Sequence, residues 1–265
     1  MCLIALNWQP HAATRLVLAA NRDEFYARPA ASLRRWSPVQ PTGCVTAGQD
    51  LQGGGTWLGL GRSGRLAALT NYRDPALQRP QAPTRGDITT AFLSGADTAI
   101  DFLEALCTRA AAYNPFNLIV FDGNVLLGFE SRHQSIFALP SGVSAVSNAD
   151  FDTPWPKLTR LKRVFSQTIT QFDLTRTGLQ PASENALFAL LAEPHTAPAH
   201  QLPHTGLTLE LERALSAAFI TTPSYGTRAS TLVSVGHHQA SIIERSFDAR
   251  GQTGAAREHL TWQGA

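Results

Sequence analysis

Met1-Cys2-Leu3-Ile4-Ala5-Leu6-Asn7-Trp8 opens the chain; after Pro10-His11 comes a second apolar run, Leu16-Val17-Leu18-Ala19-Ala20, and then Asn21-Arg22-Asp23-Glu24-Phe25. Two apolar runs joined by a proline-bearing turn predict a β-hairpin whose second strand ends on Asn21. Strand ends at one edge of a sheet converge on a common pocket. Cys2 and the four polar residues after the second strand therefore become candidates for one site.

Other strands end in the same way. Gly53-Gly54-Gly55-Thr56-Trp57-Leu58-Gly59-Leu60, the turn Gly61-Arg62-Ser63-Gly64 and residues 65–70 predict a hairpin ending on Asn71. Residues 117–121 and 125–130 flank Asp122-Gly123-Asn124, where Asp-Gly supplies the positive φ angles of a tight turn. Residues 135–139 and 143–147 extend the same sheet in this reading and end on Asn148. Two late strands, 228–235 and 240–246, are joined by Gly236-His237-His238, with a last short strand at 259–262.

Helical spacing appears in two places. Ile88, Phe92 and Leu93, then Ile100, Leu103 and Leu106 across a break at Gly95, predict two covering helices between residues 87 and 112. Leu158, Leu161, Phe165 and Ile169 share one face of a helix over 156–172, followed by a short helix over 184–192 capped by Ser183 and another within 207–219. Strands, helices, strands, helices, strands, joined by hairpins, favour an α+β fold of stacked mixed sheets over a doubly wound parallel one.

With 265 residues, 43% of them hydrophobic and 16% charged, the chain can bury a large core in one domain over 1–265. A net charge of +2 without a basic run or aromatic-basic stripe argues against nucleic acid. No run reaches the roughly eighteen apolar residues of a membrane-spanning helix. Asn7 interrupts the first run too early for a secretory h-region, so a cytoplasmic location is the expectation. Cys2, Cys44 and Cys107 lack metal or disulfide spacing, and no metal site is expected; Cys107 reads as a core residue and Cys44, after Pro41-Thr42-Gly43, as structural.

Cys2 differs by position. Removal of Met1 would leave one residue with both a thiol and an α-amine, whose reference pKa is about 7.7 to 8.0, so the amine can take the thiol proton and return it to a leaving group. Such a catalyst requires no cofactor. It does need an oxyanion hole, for which asparagine amides serve, and Asn71 and Asn148 are candidates. Asn21, Arg22, Asp23, Glu24 and Arg228 are candidates to hold amine and ligand.

Met1-Cys2-Leu3-Ile4, Asn21-Arg22-Asp23-Glu24-Phe25, Gly54-Gly55-Thr56-Trp57-Leu58-Gly59, Leu69-Thr70-Asn71-Tyr72-Arg73 and Ser147-Asn148 together resemble the NRDE family, also called the Transport and Golgi Organization 2 family. The resemblance implies a four-layer αββα sandwich of the N-terminal-nucleophile (Ntn) hydrolase type, distantly similar to choloylglycine hydrolases and penicillin acylases. Asn71, Asn148 and Arg228 fall where those enzymes carry two asparagines and a late arginine. Asn21 stands where they have arginine and Glu24 where they have aspartate, a departure at the thiol's own neighbour. For the family the resemblance implies a ligand more than a reaction: haem trafficking, or acyl-CoA and lipid metabolism.

Two functions follow as expectations: Cys2-dependent hydrolysis of an amide or thioester, or carriage of haem or acyl-CoA in the same pocket without turnover. Blander roles stand beside them. Asn21-Arg22-Asp23-Glu24 can be a hydrogen-bonded turn, Asn71 and Asn148 can cap strand ends, and Arg228 can be a surface ion-pair partner. Residues 53–55 read as a turn before a core Trp57, and His133, His237 and His238 as solvated turn residues.

Overall fold

The computed structural model describes residues 2–38 and 43–263; Met1, the Pro41-Thr42 step before Cys44 and residues 264–265 lie outside them. Six strands build the first sheet. Strand β1 (Cys2–Trp8) lies between β2 (Thr14–Phe25) and β10 (Gly142–Val146), and β2 pairs onward with β11 (Tyr225–Gly236), then β12 (Gln239–Asp248) and β13 (Gly251–Thr261). The second sheet runs in chain order through β3 (Ala30–Trp36), β4 (Val45–Asp50), β5 (Leu58–Leu60), β6 (Leu66–Asn71), β7 (Phe116–Phe121), β8 (Leu126–Glu130) and β9 (Ser135–Ala138). The strand pairings are antiparallel throughout.

Three apolar layers separate four structural ones. Helices α1 (Gly86–Ser94) and α2 (Ala99–Cys107) cover the second sheet through Phe92, Leu103, Leu118 and Phe129. The two sheets meet over Ile4, Leu6, Leu18, Leu60, Ile119 and Val233. On the far side, α3 (Pro156–Ile169) and α4 (Pro181–Leu191) pack Leu158, Phe165 and Leu187 onto Leu3, Ala5, Val17 and Ala19. Each fully buried side chain of this kind removes enough apolar surface to contribute about 1.5–3 kcal/mol. The α+β, four-layer αββα expectation is met.

Because β1 and β2 are covered on both faces, their residues are apolar almost without alternation, and parity decides direction. Even positions from Ile4 to Ala20 face the other sheet, and odd positions from Leu3 to Ala19 face α3 and α4. Carried to the strand ends, this puts Cys2, Arg22 and Glu24 on the inter-sheet side, and Asn21 and Asp23 on the helix side.

Several expectations need correction. Strand β2 does not end on Asn21 but continues to Phe25, because β1 pairs Cys2 with Arg22 on one side and β11 pairs Tyr225 with Phe25 on the other. The 143–147 run joins β1 in the first sheet, not its neighbour in sequence. Helix α4 starts at Pro181, after Gln180, with no cap from Ser183, and β13 is much longer than residues 259–262. Cys44 is exposed and Cys107 half-buried at the end of α2. Among the described residues no helix is long and apolar enough to cross a membrane.

Candidate functional site

Where β1 and β2 end, the two sheets part over a polar cleft of about 410 Å³ whose wall includes Cys2, Arg22, Glu24, Arg28, Asp50, Asn71 and Arg85. Cys2 is only 5% exposed. Burial pushes its thiol up to about 11, so it is neutral near pH 7 and needs a base to react. Its carbonyl accepts the Ser147 hydroxyl at 3.0 Å, and the same hydroxyl lies 3.2 Å from Asn148 Oδ1.

Asn71 is the last residue of β6 and faces the cleft. Asn148 is fully buried and is not part of the cleft wall. Its Nδ2 donates to the Asn71 carbonyl at 2.9 Å, its own carbonyl accepts the Arg73 N–H at 2.7 Å, and Lys157 Nζ stands 3.5 Å from its Oδ1. Asn148 thus holds Asn71 in place and presents no amide on the cleft wall.

The Asn21-Arg22-Asp23-Glu24 segment divides by parity. Arg22 Nη2 lies 3.3 Å from Asp50 Oδ2 and 3.8 Å from Glu24 Oε2, and Arg28 Nε meets the same Asp50 oxygen at 2.7 Å. Burial works to raise the Asp50 pKa, but the Gly53 N–H and the Arg28 guanidinium outweigh it and hold it below the usual carboxylate range. Asp23, on the other face, accepts from Thr227 Oγ1 at 2.8 Å; burial pushes its carboxyl up, against the pull of Lys157 and of the chain's amino terminus. Asp23 still reaches the cleft wall.

Two expected site residues are turned elsewhere. Asn21 is fully buried toward the helices: its Nδ2 donates to the carbonyls of Leu191 and Ala218, each at 2.8 Å, and its Oδ1 accepts from Ser230 at 2.6 Å. Its Nδ2 ties α4 and the chain before β11 to the sheet and its Oδ1 is held by β11, so the amide is engaged in packing. Arg228 is the extra residue of a bulge between Thr227 and Ala229, which turns it off the strand's regular face. Its Nε donates to Phe247 O, and its Nη1 lies 3.0 Å from the carbonyls of Phe25, Tyr26 and Arg28. It fastens the turn that carries Arg28 and does not line the cleft beside Cys2.

The sequence reading missed Arg28, Asp50, Arg85 and Lys157. Asp50 had a signal: an aspartate before a glycine run readily bonds the following backbone, as it does to the N–H groups of Gln52 and Gly53. Lys157 had another, because a lysine in the first turn of a helix opposes the dipole and needs a local reason. It is 3% exposed, and burial, then the nearby Arg73 charge, brings its pKa down to about 8. The glycine run behaves as a turn, as expected; a Cβ on Gly55 would lie 2.5 Å from the Gly86 backbone, so the run lets two loops of the cleft wall touch.

The histidines remain at the surface. His237 and His238 are exposed in the β11–β12 turn. Glu130, His133 and Asp150 bring three ligand atoms within 4.8 Å of one another, but His133 is 53% exposed and the Phe151 N–H occupies Glu130 Oε1.

A four-layer αββα sandwich with a cysteine at the mouth of its first strand defines an Ntn-hydrolase-like protein. The chain belongs to the Transport and Golgi organisation 2 family, whose model matches residues 1–249. It is 34% identical over 271 residues to the Transport and Golgi organization protein 2 homolog of Bos taurus and 33% identical over 270 residues to that of Homo sapiens, with 93% of each chain covered in both cases. The fold is also that of the C2A conjugated bile acid hydrolase from Clostridium perfringens, with a TM-score of 0.56 over 100% of this chain and 97% of that one at 10% identity. The resemblance carried by the opening motifs is borne out, in family and in fold.

Proposed function

We propose that the cleft binds an acyl-bearing small molecule and that Cys2 cleaves its amide or thioester bond. The observation that carries this reading is the placement of Cys2 and Asn71 in one cleft wall at the parting of the sheets. A neutral buried thiol needs a base within reach, and the α-amine exposed by removal of Met1 is the nearest one covalently available. Asp23, which shares the cleft wall with Cys2, would orient that amine.

In this mechanism the amine takes the thiol proton as sulfur attacks the carbonyl carbon. Asn71, held from behind by Asn148, donates to the oxyanion in place of the two-asparagine hole expected from the motifs. The amine then returns the proton to the leaving nitrogen or sulfur as the old bond breaks, and water, deprotonated by the same amine, releases the acid from the cysteine thioester.

The second reading is a carrier of acyl-CoA or haem, and the Asn148 geometry favours it, because that amide is committed to Asn71. Acyl-CoA and N-acyl amino-acid panels, with wild type compared with Cys2→Ala, separate the two. Hydrolysis lost in Cys2→Ala is expected; equal rates, or a purified protein that retains Met1, would remove the acyl-enzyme. Saturable haem or acyl-CoA binding without turnover would then establish the carrier.

A further inference from the structure

Beside the polar cleft lies a second recess of about 490 Å³, walled by Phe25, Pro75, Leu207, Leu211, Leu215 and Tyr225. Its volume falls in the range of about 300–1,000 Å³ typical of small-molecule pockets. Phe25 is 56% exposed and Leu211 40%, apolar surface that a folded chain leaves open at a cost. The recess is stiff on one side: Phe25 and Tyr225 stack edge to face at 5.1 Å, and Leu215 belongs to a small buried cluster with Leu207 and Tyr225 packed against it. The helix carrying Leu211, α5 (Leu209–Ala214), is pinned from within by Glu212, which bonds Arg73 Nη1 at 2.7 Å and the Thr205 N–H at 3.0 Å.

The two recesses adjoin. Glu24 and Asn71 belong to both walls. A molecule whose carbonyl sits at Asn71 therefore has an apolar trough on one side and the polar cleft on the other. In the cleft, Arg22 and Arg28 are neutralised by Asp50 and Glu24, but Arg85 is not. Among the described residues Arg85 forms no ion pair with a carboxylate, and its one side-chain hydrogen bond runs from Nη1 to Pro115 O at 3.0 Å. A guanidinium has five N–H donors in a fork that suits a carboxylate, so the rest of Arg85 is available to an anionic acceptor.

We infer that the ligand is an amphiphile with an apolar acyl chain in the Phe25–Leu211–Leu215 recess, its carbonyl at Asn71, and an anionic leaving group at Arg85. This rests on the acyl-ligand reading above and deepens it by assigning a chain subsite and a charge preference. Neither the recess nor Arg85 was part of the expected site.

Equilibrium binding to the Cys2→Ala protein tests it without turnover. The probes are N-acylglycines from butanoyl to hexadecanoyl, the matching N-acylglycinamides, which differ only in charge, and S-acyl thioglycolates. Affinity is expected to rise about two- to fourfold per added methylene until the recess is full, with the same slope in the amide and thioester series. Leu211→Asp, at an exposed position, should weaken the longest chains about tenfold and leave butanoyl unchanged. The acid should bind about tenfold tighter than its amide; Arg85→Gln should erase that ratio and Arg85→Lys restore part of it. A flat chain-length series, or Leu211→Asp weakening all chains alike, overturns the chain subsite. An acid-to-amide ratio unchanged in Arg85→Gln overturns the charge preference. If wild type binds as described but does not hydrolyse the same compounds, the hydrolase reading fails while this one stands.

Discussion

Asn148 donates its side-chain amide to the main-chain carbonyl of Asn71, so the two asparagines expected to act side by side on a substrate are instead bonded to each other. One supports; the other faces the ligand. This couples the end of β6 in one sheet to the segment after β10 in the other. The Asn148 Oδ1 also meets Lys157 Nζ and the Ser147 hydroxyl, which itself bonds the main-chain carbonyl of Cys2.

Asn148→Ala therefore leaves the Asn71 carbonyl and Lys157 without a partner they now have. A buried polar group stripped of its partner costs about 1–3 kcal/mol, and urea unfolding should show a loss of that size. Asn148→Asp, which keeps an acceptor for Lys157 but loses the donor, should recover part of the stability and none of the hold on Asn71. A variant as stable as wild type would contradict the supporting role.

For Asn21 the expectation is a separation of stability from binding. Asn21→Ala orphans the carbonyls of Leu191 and Ala218 and the Ser230 hydroxyl, at about 1–3 kcal/mol for each group that finds no water. Calorimetric unfolding should shift downward, while ligand affinity, measured well below the transition, stays within about twofold of wild type. Loss of affinity in a fully folded variant would return Asn21 to the site.

Lys157 makes stability pH-dependent. Its pKa is about 8 when folded against 10.5 as a free side chain. Between those values the folded chain has released a proton that the unfolded chain still holds, so stability from this group rises with pH; below about 8 both states are protonated and the burial cost is at its full extent. Cys2 acts oppositely, from 9.0 up to about 11, and lowers stability as pH rises above 9. The clean window is thus about pH 8 to 9. Wild type should gain stability across it relative to Lys157→Met in urea titrations; parallel pH profiles would count against a titrating Lys157.

Gly55→Ala forces a Cβ to within 2.5 Å of the Gly86 backbone, a contact that cannot form without moving one loop of the cleft wall. A loss of about 1–3 kcal/mol is expected, as for other overpacked sites, together with weaker ligand binding. Gly54, at φ +79° with open space where its Cβ would be, is a fair control: Gly54→Asn should retain both properties nearly intact, since asparagine tolerates that conformation. Equal behaviour of the two variants would show that the close approach is unimportant.

Much of this arrangement was legible in the residues because apolar spacing reports burial. The runs at Leu3 and Leu16, the Asp122-Gly123 turn and the two faces of Phe92 and Leu103 correspond to β1, β2, the β7–β8 hairpin, α1 and α2. What was not legible depends on partners distant in sequence. Strand β2 continues through polar Arg22 and Glu24 because β11 arrives to pair with them, and β10 changes sheets because β1 has a free edge. Asn21 and Asp23 looked like companions of Arg22, yet parity sends them to the opposite face. Arg28, Asp50 and Arg85 come from three separate places, a turn, the end of β4 and the turn before α1, and nothing local in Thr84-Arg85-Gly86 announces the cleft they share with Cys2.

Cys2 is paired with Arg22 of β2 at the start of β1, a strand that lies between β2, made at once, and β10, made far later. An aminopeptidase must draw the first peptide bond into its own active site, which requires a slack, extended chain end. On the proposed mechanism, removal of Met1 would have to precede closure of the sheet. Under that proposal, reactivity at Cys2 would be decided by a race between a processing enzyme and folding, and a population made too quickly for its processing machinery would carry two forms.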